Sequence, residues 1–269
     1  MKKYDVVALG ELLIDFTENG ISEQGNPLLE ANPGGAPCNV LAMLAKLGKK
    51  TAFIGKVGND SFGKMLSEVI EKCGIGAEGL VFDEVVHTTL AFVHKKPDGD
   101  RDFSFYRSPG ADMMLTASEV NSDIIGNAGI FHFGTLSMTH EGNRAATVSA
   151  INTAKESGAL ISFDPNLREP LWESLEDAKE AMKYGISVCD ILKISDNEIE
   201  FLTGEKDIDK GVFAIIREYG VPLVLATMGR NGSKAYCGSA LVSAPAYDNT
   251  NVVDTTGAGD TFMGCALNY

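Results

Sequence analysis

Near the end of the chain, Val253-Asp254-Thr255-Thr256-Gly257-Ala258-Gly259-Asp260-Thr261-Phe262 sets a run of small residues against a single carboxylate. With no bulky side chain at 257 to 259, an anion can come close to the backbone. The apolar pattern Phe262, Met263, Cys265, Ala266 that follows predicts a helix. Unpaired N–H groups and the positive dipole end at the start of such a helix attract phosphate. Asp260 then falls in the first turn, where the dipole is expected to lower its pKa and keep it ionised, able to take a proton from an attacking hydroxyl. Read this way the segment is a phosphoryl-transfer site. Read plainly it is a Gly-rich strand-to-helix turn in which Asp260 is a capping residue.

Asp254-Thr255-Thr256-Gly257-Ala258-Gly259-Asp260 resembles a signature of the ribokinase-like, or PfkB, family of carbohydrate kinases. Asn32-Pro33-Gly34-Gly35-Ala36-Pro37-Cys38-Asn39-Val40-Leu41-Ala42 resembles that family's sugar-side glycine turn, and Gly55-Lys56-Val57-Gly58-Asn59-Asp60-Ser61-Phe62-Gly63 its next block. The blocks stand in the family's order, and the resemblance runs from Val6 to the last residue. Asp164-Pro165-Asn166-Leu167-Arg168-Glu169-Pro170-Leu171-Trp172 and Glu198-Ile199-Glu200-Phe201-Leu202-Thr203-Gly204 are similar to the fructokinase branch in particular. The resemblance implies ATP-dependent phosphorylation of a sugar, most simply fructose at O6, with 2-keto-3-deoxygluconate or ribose as alternative acceptors. It makes Asp260 the base and the backbone of Gly257, Ala258 and Gly259 the cradle for developing charge.

Chemistry and resemblance together nominate the sugar contacts. Asp15, in Glu11-Leu12-Leu13-Ile14-Asp15, can accept hydrogen bonds from vicinal hydroxyls, or be a solvated turn residue. Gly34 and Gly35 admit a ring close to the backbone, and Asn39 offers donor and acceptor, or caps a helix. In Phe103-Ser104-Phe105-Tyr106-Arg107, a period of two puts Phe103, Phe105 and Arg107 on one face. An aromatic beside a guanidinium suits a sugar or a sugar acid; packing with Arg107 in solvent is the alternative. Arg168, after an apolar strand end, can neutralise the transferring phosphoryl or bind substrate, or form a structural salt bridge.

On the nucleotide side Lys193 can meet phosphate, and Thr227-Met228-Gly229-Arg230-Asn231-Gly232 resembles the family's turn beside ATP, a role for Thr227, Gly229 and Gly232, although a plain hairpin turn looks similar. Asn197-Glu198-Ile199-Glu200 matches a motif whose last residue, here Glu200, organises Mg²⁺ through water; the alternative is an acidic helix face. Asp254 and Thr256 match positions that build a monovalent-cation site for K⁺ in many relatives. Those relatives continue past the signature helix, so a chain ending at Tyr269 is expected to bind ATP weakly, and a sugar-binding remnant is the alternative outside the enzymes.

These residues need a frame. Short β-branched runs alternate with helical patterns, which predicts a mostly parallel sheet covered by helices. Strand candidates are 5–9, 51–57, 130–133, 160–163, 191–194 and 223–227; helices fill 39–47, 62–73, 143–157, 175–184 and 209–219. Residues 12–31 and 85–108, the latter around Pro97-Asp98-Gly99-Asp100, break the rhythm and read as hairpins outside the sheet. The resemblance makes the whole a three-layer α/β/α sandwich, one kinase domain over 1–269, with those strands as a small β lid that closes over the sugar and often pairs two subunits.

Composition agrees. A chain of 269 residues, 44% hydrophobic, can bury one large α/β core. A formal charge of −14 argues against nucleic acid, while ATP needs only a local positive pocket. Five scattered cysteines, without C-x-x-C spacing, imply neither disulfide framework nor zinc site and fit a reducing cytoplasm. The apolar run at Val6 to Leu9 is too short for a signal peptide, and no stretch approaches membrane-spanning length. The first strand is followed by Gly10-Glu11-Leu12-Leu13-Ile14-Asp15, not a dinucleotide fingerprint, and no Walker loop occurs.

Overall fold

In the computed structural model, residues 2–95, 101–247 and 255–269 are described, the side chains at 94, 95 and 101–103 excepted. In chain order the elements are β1 (Tyr4–Leu9), β2 (Leu13–Ile21), β3 (Pro27–Gly34), α1 (Ala36–Lys46), β4 (Thr51–Gly58), α2 (Ser61–Lys72), β5 (Ile75–Asp83), β6 (Leu90–Lys95) and β7 (Arg101–Tyr106). There follow α3 (Ser122–Gly126), β8 (Ala128–Gly134), α4 (Glu141–Glu156), β9 (Leu160–Asp164), α5 (Leu175–Val188), β10 (Ile191–Ser195), α6 (Asp196–Thr203) and α7 (Ile208–Tyr219). β11 (Leu223–Thr227), β12 (Ser233–Cys237), β13 (Ala240–Ala244) and α8 (Ala258–Leu267) complete the described chain.

Nine of these strands form one sheet in the order β13-β12-β11-β10-β9-β8-β1-β4-β5. β12 and β13 are antiparallel and the rest parallel. A sheet covered on both faces needs apolar residues at successive positions, and β4 is buried throughout. Alternation then divides the residues between two cores. Val7 and Leu9 of β1, Ile54 of β4 and Val224 of β11 face α3 to α7, while Val6, Ala8, Phe53 and Leu225 face α1, α2 and α8. The result is the expected three-layer sandwich. Phe53, Phe131, Phe133 and Phe163 are fully buried, each stabilising by roughly 1.5–3 kcal/mol.

A second sheet, β3-β2-β6-β7, comes from the two segments that break the α/β rhythm. Phe16 of β2 stacks on Phe92 of β6 at 5.0 Å between centroids and meets Phe62 of α2 edge-on at 5.6 Å, which fastens this sheet to the core. The turn at Pro97 to Asp100 lies outside the described residues.

Boundaries differ from expectation where end chemistry decides. α1 starts at Ala36, not Asn39, because Pro37 fits a first turn. α5 continues past Tyr184 to Val188, burying Ile186. β5, β12, β13, α3 and α6 are additions. Among the described residues no helix is long and apolar enough to cross a membrane.

Candidate active site

α8 begins on Gly257, whose φ of 73° is left-handed and suits glycine, and no side chain caps the helix. Asp260 lies in its first turn as expected. The amide of Ala258 is already used, donating to the Thr255 carbonyl at 3.1 Å. α8 crosses α1 closely at Gly264, where a Cβ would sit 2.8 Å from that of Met43. This crossing brings Asn39 to Asp260: Asn39 Nδ2 donates to Asp260 Oδ2 at 2.8 Å. Asp260 is buried, and burial raises its pKa; Asn39, Lys193 and Arg168 pull it down but do not offset that cost. The depression expected from the dipole is therefore overridden. A carboxylate so raised is a stronger proton acceptor when ionised.

Lys193, buried on β10, contacts Asp164 at the end of β9, with Nζ 3.1 Å from Oδ1 and 2.9 Å from Oδ2. A Cβ on Gly259 would stand 3.0 Å from Lys193 Nζ, so the ammonium lies against the small-residue cradle. Burial lifts Asp164 to about 6 even though Lys193 pulls it down. For Lys193, burial would lower the pKa, but Asp164, Glu198 and Asp260 outweigh it and hold the lysine above its usual value, charged. Glu198 forms a capping box with Ser195 at the start of α6 and accepts from the Leu167 amide at 2.9 Å, fixing the loop that carries Arg168. Arg168 is exposed, and its charge lowers the pKa of both Asp15 and Asp260.

Asp15 is half-buried on β2, lifted to about 6 by burial, with Arg168 lowering and Asp260 raising it. A Cβ on Gly34 would fall 2.2 Å from Asp15 Oδ2, and one on Gly35, at φ 124°, 2.3 Å from the Glu11 carbonyl oxygen. Gly35 has no room for a side chain, and one at Gly34 would displace the Asp15 carboxylate. Asp15, Asn32, Gly34, Asn39, Thr256 and Gly257 line a cleft of ≈ 850 Å³.

Phe105 and Arg107 line a different cavity, of ≈ 590 Å³, with His140 and Trp172. Arg107 is not in solvent. Its Nε donates to Asp112 Oδ2 at 2.8 Å, Nη2 lies 2.7 Å from the same oxygen and donates to the Leu136 carbonyl at 2.9 Å, and Nη1 donates to Thr139 Oγ1 at 2.9 Å. The guanidinium pins the segment after β7 to the core. Thr227 ends β11 in register with Ser195. Gly229 and Gly232 have left-handed φ of 51° and 87° in the β11–β12 hairpin, closed by Met228 donating to the Gly232 carbonyl at 2.9 Å. Glu200 is exposed on α6, 3.6 Å from Lys206 Nζ. Asp254 lies outside the described residues.

Four further groups enter the site without having been nominated from sequence: Glu11, His132, Asp164 and Glu198. Glu11 is buried, lifted to about 7 by burial, and accepts from the Ala36 amide at 2.8 Å, capping α1 from outside. The Ser195-x-x-Glu198 capping box could have marked Glu198. No local signal marks the others. Among the described residues, no three His, Cys, Asp or Glu converge on a common metal position.

A family model described as pfkB family carbohydrate kinase matches residues 3–268. The chain is 45% identical over 266 residues to probable fructokinase-2 of Arabidopsis thaliana, covering 98% of this chain and 80% of that protein. It is also 45% identical over 264 residues to fructokinase-2 of Solanum lycopersicum, with 97% and 80% covered. It superposes on the crystal structure of fructokinase with bound ATP from Xylella fastidiosa with a TM-score of 0.90 at 31% identity, over 100% of this chain and 81% of that one. A putative ribokinase II from E. coli in complex with ATP and Mg²⁺ gives 0.87 at 27% identity, over 98% and 85%.

Proposed function

Because the chain belongs to the pfkB family of carbohydrate kinases, we propose that it transfers the γ-phosphoryl group of ATP to D-fructose, at O6. The observation that carries this reading is the Asn39–Asp260 hydrogen bond, which joins the sugar-side glycine turn to the small-residue cradle across 221 residues of sequence. In this reading Asp15 and Asn39 orient the sugar in the ≈ 850 Å³ cleft. Asp260 takes the hydroxyl proton as that oxygen attacks the γ-phosphorus and ADP leaves. Lys193 and Arg168, which both act electrostatically on Asp260, stabilise charge on the phosphoryl group. The Arg107–Asp112 pair favours fructose over 2-keto-3-deoxygluconate, since Asp112 already neutralises the guanidinium that would meet a substrate carboxylate.

Mg²⁺ suits the α6 acids, because it keeps several waters and needs only one or two carboxylates. Glu200, exposed and paired only loosely with Lys206, would hold it through water, and the ion would supply neutralisation of the nucleotide phosphates. Exposed Ile21, Leu28, Leu29 and Tyr106 make the small sheet the surface for a homodimer.

ADP formation by the chain with ATP and Mg²⁺, with and without K⁺, tests the reading against fructose, 2-keto-3-deoxygluconate, ribose and no sugar. Fructose is expected to give the highest kcat/KM. Preference for another sugar, or silence with all of them, overturns it. Asp260→Asn should cut kcat by orders of magnitude while calorimetry still registers sugar binding.

A further inference from the structure

Beside Asp260 lies a small recess of ≈ 10 Å³, lined by Glu11, Val40, His132, Asp164, Asn166 and Asp260 among others. The walls come from the segment after β1, from α1, β8, β9 and α8. His132 is 1% exposed, and only its Nδ1 has a hydrogen-bond partner among the described residues, Ser162 Oγ at 2.9 Å. Nε2 has no hydrogen-bond partner among the described residues, and the residue borders the recess. A structural water needs roughly 10–15 Å³ for its centre and two to four polar partners. At ≈ 10 Å³ the recess reaches the lower end of that range, enough for one water.

We infer that the cavity holds one water molecule, bridging His132 to the carboxylate of Asp260 and making His132 a positioning residue for the base. The inventory of donors closes. With the Ser162 hydroxyl donating to Nδ1, Nε2 carries hydrogen and donates to the water, whose own hydrogens go to Asp260 and to Glu11 or Asp164. Burial and the nearby Lys193 bring the imidazole down to about 3, so the ring is neutral, as this pattern requires. Asn39 holds Asp260 from the cleft side and the water holds it from beneath. The groups that act on Asp260's charge are then Asp15 on β2, Asp164 at the end of β9, Arg168 in the loop after it, Lys193 on β10, and Asn39 and this water as hydrogen-bond donors, with Glu11 bordering the same recess. The water's presence is independent of function; its role in positioning the base rests on the proposed kinase activity.

Two readouts separate those halves. A high-resolution crystal structure of the chain should show one density peak within hydrogen-bonding distance of His132 Nε2 and an Asp260 oxygen; an empty cavity among otherwise well-ordered waters overturns the inference. In kinetics, Val40→Ile adds one methyl group from the apolar wall and His132→Leu removes Nε2, whereas His132→Gln retains a polar atom. Both cavity-disrupting variants should lose about tenfold in kcat, the rate equivalent of one hydrogen bond. Their KM for fructose should stay within about twofold, since the sugar-facing groups are untouched. The acid limb of kcat should move to higher pH, and His132→Gln should recover most of both changes. Unchanged limbs in folded Val40→Ile and His132→Leu, or equal impairment in His132→Gln, defeat the positioning role. If Val40→Ile does not fold, the two His132 variants decide alone. Failure of the unsubstituted chain to use any sugar would instead sink the kinase reading and leave the density test standing.

Discussion

Replacing Asn39 with alanine removes the side-chain hydrogen bond that Asp260 accepts among the described residues, together with the proposed Asn39 contact to the sugar, while disturbing the core little, since Asn39 is only half-buried. A hydrogen bond to an ionised acceptor is worth about 1.5–3 kcal/mol. One pKa unit corresponds to about 1.4 kcal/mol, so the loss should lift Asp260 by roughly one to two units. Burial already holds that carboxylate above its ordinary range, and the change adds to it. If Asp260 must be ionised to accept the hydroxyl proton, the acid limb of kcat should move up by the same one to two units. At a pH on the limb, turnover should fall by about 10- to 100-fold; well above it, the variant should return to within a few fold. A coupled ADP-release assay from pH 5 to 9.5 at saturating fructose reads this directly. A profile scaled down uniformly, with its limb unmoved, would show that Asn39 acts on the sugar and not through Asp260.

Glu11 has an ordinary value of 4.5 and stands at about 7 in the fold, so between those pH values the native state binds more protons than the unfolded chain and stability falls as pH rises. Glu11→Gln should lose this part of the fall, keeping the part due to Asp15, Asp164 and Asp260, and exceed the unsubstituted chain by at most about 3 kcal/mol at pH 8; urea melts in which the two chains differ equally at pH 5 and 8 would refute it. Gly35→Ala puts a side chain at φ 124° and 2.3 Å from the Glu11 carbonyl, and should cost about 2 kcal/mol or more, with a raised KM for fructose. A change below about 0.5 kcal/mol in chemical denaturation would count against the stated strain. Asp112→Ala leaves the Arg107 charge buried without its partner and should cost about 3–5 kcal/mol, whereas Arg107→Met with Asp112→Leu should cost clearly less; equal losses would mean that the pair is not electrostatically self-contained.

The central strands were legible because a doubly covered sheet requires unbroken apolar runs such as Val6 to Leu9. β13 escaped notice because all of its residues are exposed, and β5 because Gly76 and Gly79 interrupt its pattern. Small edge strands take their stability from pairing, not from a core-facing sequence. Asp260, Asn39, Asp15 and the glycine turns could be picked out by residue type and resemblance. Arg107 could be picked out too, but not what it touches, because Asp112 lies beyond the strand whose alternation was read. The Asp164–Lys193 pair joins the end of β9 to the middle of β10, 29 residues apart, and Glu11 meets Ala36 only because α1 folds back over β1. Such pairings depend on strand order, which local patterns do not encode. The pKa of Asp260 was misjudged for a related reason: helix polarity is visible in sequence, whereas the depth of burial is not.

The bond between Asn39 and Asp260 also bears on how the protein acquires activity. The two residues belong to the first and last of the described helices, and nothing local brings them together. Closing so long a stretch of chain is slow, and its entropic cost is met only when α1 and α8 pack over a sheet that already exists. Strands and helices can form, and most fluorescence and dichroism can recover, while the base still lacks its anchor. During refolding, return of phosphoryl transfer should therefore trail return of secondary structure, so that enzymatic activity serves as a clock for the final long-range closure of the chain.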